Sequence, residues 1–243
     1  MSLIIDSFAT FPIDSIPNLI VHLDSTSFSN GTNFITNPTD PVVIWKNKVK
    51  NTITGATQSV ASRRPLLKTA TLDGKLEAKF DGVDDFLTFG SGTELAFPRN
   101  KGRSIFILTG ENTVEGALIH RGGATDRQYG MFYYTGGIDW FNYYCEYYYG
   151  SHPAPNRPTL VSMIYRPDNT FDGYENRTKI ADNMSVGCTT TTTYDTLLGA
   201  RQNGSNTAWA FYNAGSYRTV LIFDRDLTNN ERDIIFNELI VPE

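Results

Sequence analysis

Phe80-Asp81-Gly82-Val83-Asp84-Asp85-Phe86-Leu87 is the stretch from which the fold is read. Phe80 ends one strand pointing inward, Gly82 supplies a turn residue free to take a positive φ, and the carboxylates can accept the turn amides before Phe86 returns to the core. The unit is strand, turn, strand, with no helical period in it. Working outward, further short segments rich in Val, Ile, Phe, Tyr and Thr recur along the 243 residues, parted by Gly, Asn, Asp and Pro. They fall at 19–23, 42–45, 78–80, 86–89, 104–110, 117–120, 129–134, 138–149, 159–165, 171–175, 194–198, 209–214 and 216–223. That spacing predicts an all-β sandwich or barrel. Helical signals wait until the end, where Thr228-Asn229-Asn230-Glu231 has the form of a capping box. The helix that follows mixes Ile234, Ile235 and Leu239 with charge, so it should lie outside the β body as a lid.

Composition narrows the partners. With 40% hydrophobic and 13% aromatic residues the chain can bury a sizeable core, and 19% charged residues argues against disorder. Lys+Arg 21 against Asp+Glu 26 gives a net charge of −5, which disfavours nucleic acid and anionic membrane surfaces as partners. No apolar run approaches the roughly 20 residues that span a bilayer, and the N-terminus lacks a basic segment followed by an apolar stretch, so neither a transmembrane helix nor a signal peptide is expected. Cys145 and Cys188 are too few for a disulfide scaffold and lack metal-ligand spacing. Without repeats or linkers, residues 18–243 read as one domain. Residues 1–17, with Pro12 and Pro17, read as an arm that docks on this body or on a neighbour.

The densest aromatic stretch is 129–149. A single strand through 138–149 would alternate faces, with Ile138, Trp140, Asn142, Tyr144, Glu146 and Tyr148 on one side. Because Asn142 and Glu146 are costly to bury unpaired, that side is expected to face solvent. Rings interleaved with amide and carboxylate groups suit a protein contact or a sugar, whose C–H faces stack on the rings while the polar groups bond its hydroxyls. Trp140, Asn142, Tyr144, Glu146 and Tyr148 are therefore the candidate binding residues. Arg121, Arg127, His152 and Glu175 are candidates for the same surroundings.

Three ordered pieces carry a resemblance. The segment 80–87 resembles the Phe-Asp-Gly-x-x-Asp-Tyr-Leu signature of laminin-G-like, concanavalin A-like lectin/glucanase jelly rolls of phage virion and bacterial surface proteins. Upstream, 19–24, Trp45-Lys46-Asn47-Lys48 and Arg64-Pro65 resemble the opening strand, the Trp turn and the Arg-Pro of that family. Downstream, 219–232 resembles its closing strand, its Tyr-Asp-Arg-x-Leu turn and its capped helix. The resemblance implies an all-β, antiparallel jelly-roll sandwich with a short C-terminal α-helix. The superfamily holds lectins, glycosidases, lyases and modules that only join proteins, so the site must decide the activity.

Catalytic constellations of those relatives are not matched. The Glu-x-Asp-x-x-Glu strand of retaining glucanases has no counterpart, since Glu111-Asn112-Thr113-Val114-Glu115 lacks the middle Asp. An alginate-lyase-like strand at Tyr212-Asn213-Ala214-Gly215-Ser216-Tyr217 has Asn213 where that family has Lys, and the lyase base and charge-neutralising set are missing. His22, His120 and His152 are scattered and read as structural. Many relatives bind Ca2+, and Asp81, Asp84 and Asp85 are the residues that would supply ligands here, although such turns form without metal. No cofactor is otherwise expected. The sequence thus leads to a non-enzymatic binding or structural module. The first reading is a phage virion surface protein (decoration, fibre or receptor-binding component) that assembles with other virion structural proteins or with copies of itself and contacts host glycans. The alternatives are a secreted or cell-surface lectin domain and a polysaccharide lyase or hydrolase.

Overall fold

The computed structural model describes residues 12–240 other than 71–72, 97–100, 113–114, 123–126, 135–136, 143–144, 150–157, 186–193, 204–207 and 211. Nineteen strands and one α-helix follow in chain order among these residues. They are β1 (Leu19–Leu23), β2 (Phe28–Ser29), β3 (Ile44–Lys46), β4 (Gly55–Thr57), β5 (Leu66–Thr69), β6 (Leu76–Lys79), β7 (Leu87–Thr88), β8 (Arg103–Asn112), β9 (Gly116–Gly122) and β10 (Arg127–Tyr134). After them come β11 (Gly137–Asn142), β12 (Cys145–Tyr149), β13 (Thr159–Tyr165), β14 (Thr170–Glu175), β15 (Thr178–Ser185), β16 (Thr196–Leu198), β17 (Arg201–Asn203), β18 (Ala208–Ala210), β19 (Gly215–Phe223) and α1 (Asn229–Leu239).

All strand pairs are antiparallel. The first sheet runs β15-β14-β13-β8-β19-β6-β5, with β1 also on β19; the second runs β12-β11-β10-β9-β16-β7-β4-β3-β2. The chain passes back and forth between the sheets, as the antiparallel sandwich read from the sequence requires. Alternation along each strand builds the core: Ile105 and Ile107 of β8, Val161 and Met163 of β13, and Tyr129, Met131 and Tyr133 of β10 meet between the sheets. In β19 a bulge between Tyr217 and Thr219 resets the alternation, so that Tyr217, Val220 and Ile222 all point inward.

The outer face of the first sheet is occupied, which leaves the second sheet as the place to look for a site. Phe106 and Leu108 of β8 point outward and are covered by Ile235 and Phe236 of α1 together with Ile13 and Ile16. Burying each such side chain stabilises by roughly 1.5–3 kcal/mol, and this drives the helix onto the sheet as a lid, as its mixed composition predicts. The helix begins where the sequence places it: Thr228 Oγ1 accepts from the Glu231 amide at 3.4 Å, and the Thr228 amide donates to Glu231 Oε2 at 3.0 Å. Farther along, outward-facing Glu77 and Arg218 form a buried pair at 2.6 Å, extended by Asp73 at 2.8 Å from the same guanidinium. Of the N-terminal arm, residues 12–17 belong to this packing: Ile13 and Ile16 are buried, and the Ile13 amide donates to Glu238. Residues 1–11 lie outside the described residues. Among the described residues no helix is long and apolar enough to cross a membrane.

Candidate functional site

The aromatic stretch departs from its reading. In place of one strand over 138–149, β11 and β12 pair as a hairpin, with Asn142 opposite Cys145 and Trp140 opposite Tyr148. Trp140 is fully buried between the sheets rather than exposed. Its indole ring lies against Gly173, where an added Cβ would come within 2.7 Å of the ring, and its N–H donates to the Ser162 carbonyl at 3.1 Å. The reason is physical. The polarity reading needs Asn142 on the face of Trp140, and the register of β11 against β12 shifts between these two residues, so the alternation breaks there. The hydrogen bond to Ser162 meanwhile removes the cost of burying the indole N–H. Trp140 is a core residue and leaves the candidate set. Asn142, Glu146 and Tyr148 lie on β11 and β12, and Arg127 on β10, at positions whose side chains are not described; Tyr144 and His152 lie outside the described residues, as does Cys188. Arg121 is buried in the sandwich, where it donates to Thr196 Oγ1 at 2.8 Å. Glu175 ends β14, in the other sheet.

The outer face of the second sheet can be read from its register. One row of partners crosses it: Phe34 bridges Ser29, and the pairs then run Ser29 to Ile44, Ile44 to Thr57, Thr57 to Thr88, Thr88 to Leu197, Leu197 to His120 and His120 to Gly130. Partners in a row share a face, and Trp45, Ala56, Leu87 and Leu198 beside them point into the core. So Ile44, Thr57, Thr88, Leu197 and His120 point outward. The two ends of the row differ. Toward β9–β11 the face is closed: Leu197, His120 and Phe132 are fully buried, and His120 meets the Phe132 ring edge-on at 5.9 Å between centroids. Toward β3, β4 and β7 it is more open, with Ile44, Lys46, Thr57 and Thr88 only partly covered, and beyond the buried Ser29 the Phe34 ring is 62% exposed. From Phe34 to Thr88 is four inter-strand steps, about 19 Å at roughly 4.8 Å each. The chain therefore presents a partly polar strip with an aromatic ring at its outer edge. Lys46 Nζ sits 4.6 Å from the centre of that ring. Sequence reading missed this strip because β2 and β4 are two and three residues long and Phe34 stands in a polar run, Thr32-Asn33-Phe34-Ile35-Thr36-Asn37. A lone aromatic in such a run is the one available signal.

At the inner border of the strip Tyr212 packs on the outward cluster of Phe86, Leu197 and Ala200. Burial pushes its hydroxyl pKa upward; Arg63 opposes this, while Asp84 and Asp81 add to it, which places all three charges around the phenol. Here the Asp turn closes as its sequence implies. Gly82 takes φ +78°, and Asp81 Oδ1 accepts from the amides of Val83 at 2.8 Å, Asp84 at 3.2 Å and Asp85 at 3.3 Å. Asp85 Oδ2 in turn accepts from the Asp81 amide at 3.1 Å. Phe80 is buried against Tyr217, with ring centres 4.6 Å apart. One oxygen from each of Asp81, Asp84 and Asp85 lies within 4.8 Å of the others, so these residues could supply three ligands to a cation. Burial, and then the neighbouring Asp81 charge, push the Asp85 carboxyl up to about 6 against the pull of the Asp81 amide. Arg63 lies 3.9 Å from Asp84. His22 is tied elsewhere, with Nδ1 2.6 Å from Asp14.

No family model matches the chain, and no curated protein matches it. Solved structures do. A Trypanosoma rangeli sialidase in complex with the inhibitor DANA aligns over 90% of this chain and 32% of its own, with TM-score 0.56 and 12% identity. The ligand-binding domain of botulinum neurotoxin serotype D in complex with N-acetylneuraminic acid aligns over 91% of this chain and 51% of its own, with TM-score 0.57 and 12% identity. Domain 4 of AbnA, a GH43 extracellular arabinanase of Geobacillus stearothermophilus solved with arabinotriose, aligns over 89% of this chain and 98% of its own, with TM-score 0.52 and 14% identity. The chain thus spans about a third of the sialidase, half of the neurotoxin chain, and nearly the whole of the arabinanase domain. At these identities the likeness is one of fold: a β-sandwich.

Proposed function

We propose that the chain is a carbohydrate-binding β-sandwich module that holds its ligand on the open half of the second sheet. The observation that carries this is the strip itself: an exposed ring at one edge, Thr57 and Thr88 along the middle, and Tyr212 with Arg63 and Asp84 at the inner border. An aromatic face covers the apolar side of a sugar, and flanking hydroxyls, carboxylates and guanidinium groups bond its hydroxyls. The neighbours solved with N-acetylneuraminic acid and arabinotriose support the reading by kinship of fold. Binding without catalysis is part of the proposal. It is supported by the missing glucanase strand and by the Asp turn, where Asp81 spends one oxygen on three backbone amides. On the resemblance to phage virion and bacterial surface jelly rolls, we place the module on a virion, joined to other structural proteins or to copies of itself, with extracellular display as the alternative. Co-purification with assembled particles tests that setting.

The test of binding is an oligosaccharide screen followed by calorimetry on the wild type and Phe34→Ala. The expected result is a hit whose affinity falls about tenfold in the variant, close to 1.4 kcal/mol. A hit that binds Phe34→Ala unchanged removes the strip from the account.

A further inference from the structure

We infer that the strip selects saccharides bearing a carboxylate, and that Lys46 is the residue that selects them; the inference rests on the carbohydrate-binding reading above. Three observations converge. First, the partly covered outward positions of β3, β4 and β7 on this half are Ile44, Lys46, Thr57 and Thr88, a set with one cation and no carboxylate. The carboxylates of the strip, Asp81 and Asp84, stand with Arg63 around Tyr212 at its inner border. Second, no carboxylate lies within 4.0 Å of the Lys46 ammonium among the described residues, whereas the neighbouring Lys48 is held by Asp24 at 2.7 Å. Lys46 keeps its charge available. Third, its Nζ is already positioned, 4.6 Å above the centre of the exposed Phe34 ring.

The pair works as a two-point reader. The ammonium lies over the face of the Phe34 ring, so a saccharide carboxylate that pairs with it brings its pyranose down beside the lysine, with C–H groups on the part of the ring that the lysine leaves uncovered. The ammonium takes the carboxylate and the ring takes the C–H groups next to it. A neutral sugar keeps the stacking contact and loses the charge-assisted hydrogen bond. Because the ion pair forms at an exposed surface, its contribution must fall with salt while the stacking contribution does not. Uronic and sialic acids share this chemistry.

Calorimetry on the full chain decides it, with four probes: an oligogalacturonate, a sialylated trisaccharide, and the neutral arabinotriose and lactose. At low salt the wild type is expected to bind at least one acidic probe about tenfold more tightly than the neutral ones, and the preference should shrink at high salt. Lys46→Gln should lose the preference and keep the neutral affinity, and Lys46→Arg should retain it. Equal affinity for acidic and neutral probes in the wild type would overturn the inference and leave the carbohydrate reading standing. An acidic preference that survives Lys46→Gln would overturn it as well. Failure of every probe, neutral ones included, would count against the carbohydrate reading itself.

Discussion

The substitution Asp85→Asn should stabilise the protein at neutral pH, and the effect should vanish in acid. Asp85 is buried beneath its own turn, next to Asp81 and Asp84, and its carboxyl is pushed up to about 6 from an ordinary 3.8. The folded chain therefore holds a proton on Asp85 between pH 4 and 6 that the unfolded chain has released. Through this group stability rises as pH falls across that window, and above pH 6 the full cost of the buried charge is present. About two pKa units at 1.36 kcal/mol each set a ceiling near 3 kcal/mol; relaxation of the turn and entering water reduce this to about 1.5 kcal/mol. The carbonyl of the new side-chain amide can still accept from the Asp81 backbone N–H, so the turn keeps its hydrogen bond and sheds the charge. For a chain of this size the gain at pH 7 corresponds to about 3–6 °C in Tm. The assay is thermal and urea unfolding of both proteins at pH 4, 5, 6 and 7. Taking the difference between them cancels the other carboxylates. A variant no more stable than the wild type at pH 7, or a gap that does not close toward pH 4, would refute the reasoning.

Other consequences can be measured on the same instruments. Trp140→Ala should cost about 3–5 kcal/mol in urea unfolding, as expected for a buried ring; an exposed ring would change stability by no more than about 0.5 kcal/mol. Gly82→Ala should cost about 2–4 kcal/mol, because φ is +78° and the new Cβ would lie 2.6 Å from that of Ala214. Thr228→Ala removes the helix cap and should cost about 1 kcal/mol. Glu231, held by Arg225 and by the Thr228 amide, has its carboxyl lowered to about 2. Its contribution is present above the ordinary value of 4.5 and is lost as pH falls toward 2, so Glu231→Gln should narrow the wild-type advantage in acid unfolding only below about pH 4.

Local chemistry made much of the fold legible. The Asp-Gly turn needs Gly82 and a carboxylate that can reach three amides, and both are visible in the sequence. The capping box places α1 to the residue, and the long strands β8, β13 and β19 announce themselves by runs rich in Val, Ile, Leu and aromatic residues. What stayed hidden were elements whose order comes from their neighbours. Phe28–Ser29, Gly55–Thr57 and Arg201–Asn203 are two or three residues long and carry no periodicity of their own; pairing across the sheet makes them strands. Thr178–Ser185 is an exposed edge whose Lys, Asp and Asn read as loop. The site suffered most. Parity counting through Trp140 took Asn142 as the mark of a solvent face, but the alternation breaks between those two residues and Ser162 satisfies the indole N–H, so the ring chosen for the surface lies in the core. Phe34, which does face solvent, belongs to no strand and was invisible to any periodic reading.

The central claim is that the open half of the second sheet binds sugar, and a crystal structure of the protein with the tightest oligosaccharide from the screen tests it most directly. The account predicts a sugar ring stacked on Phe34 with its chain running across Thr57 and Thr88 toward Tyr212. A saccharide seated anywhere else on the molecule, with this strip bare, would contradict it.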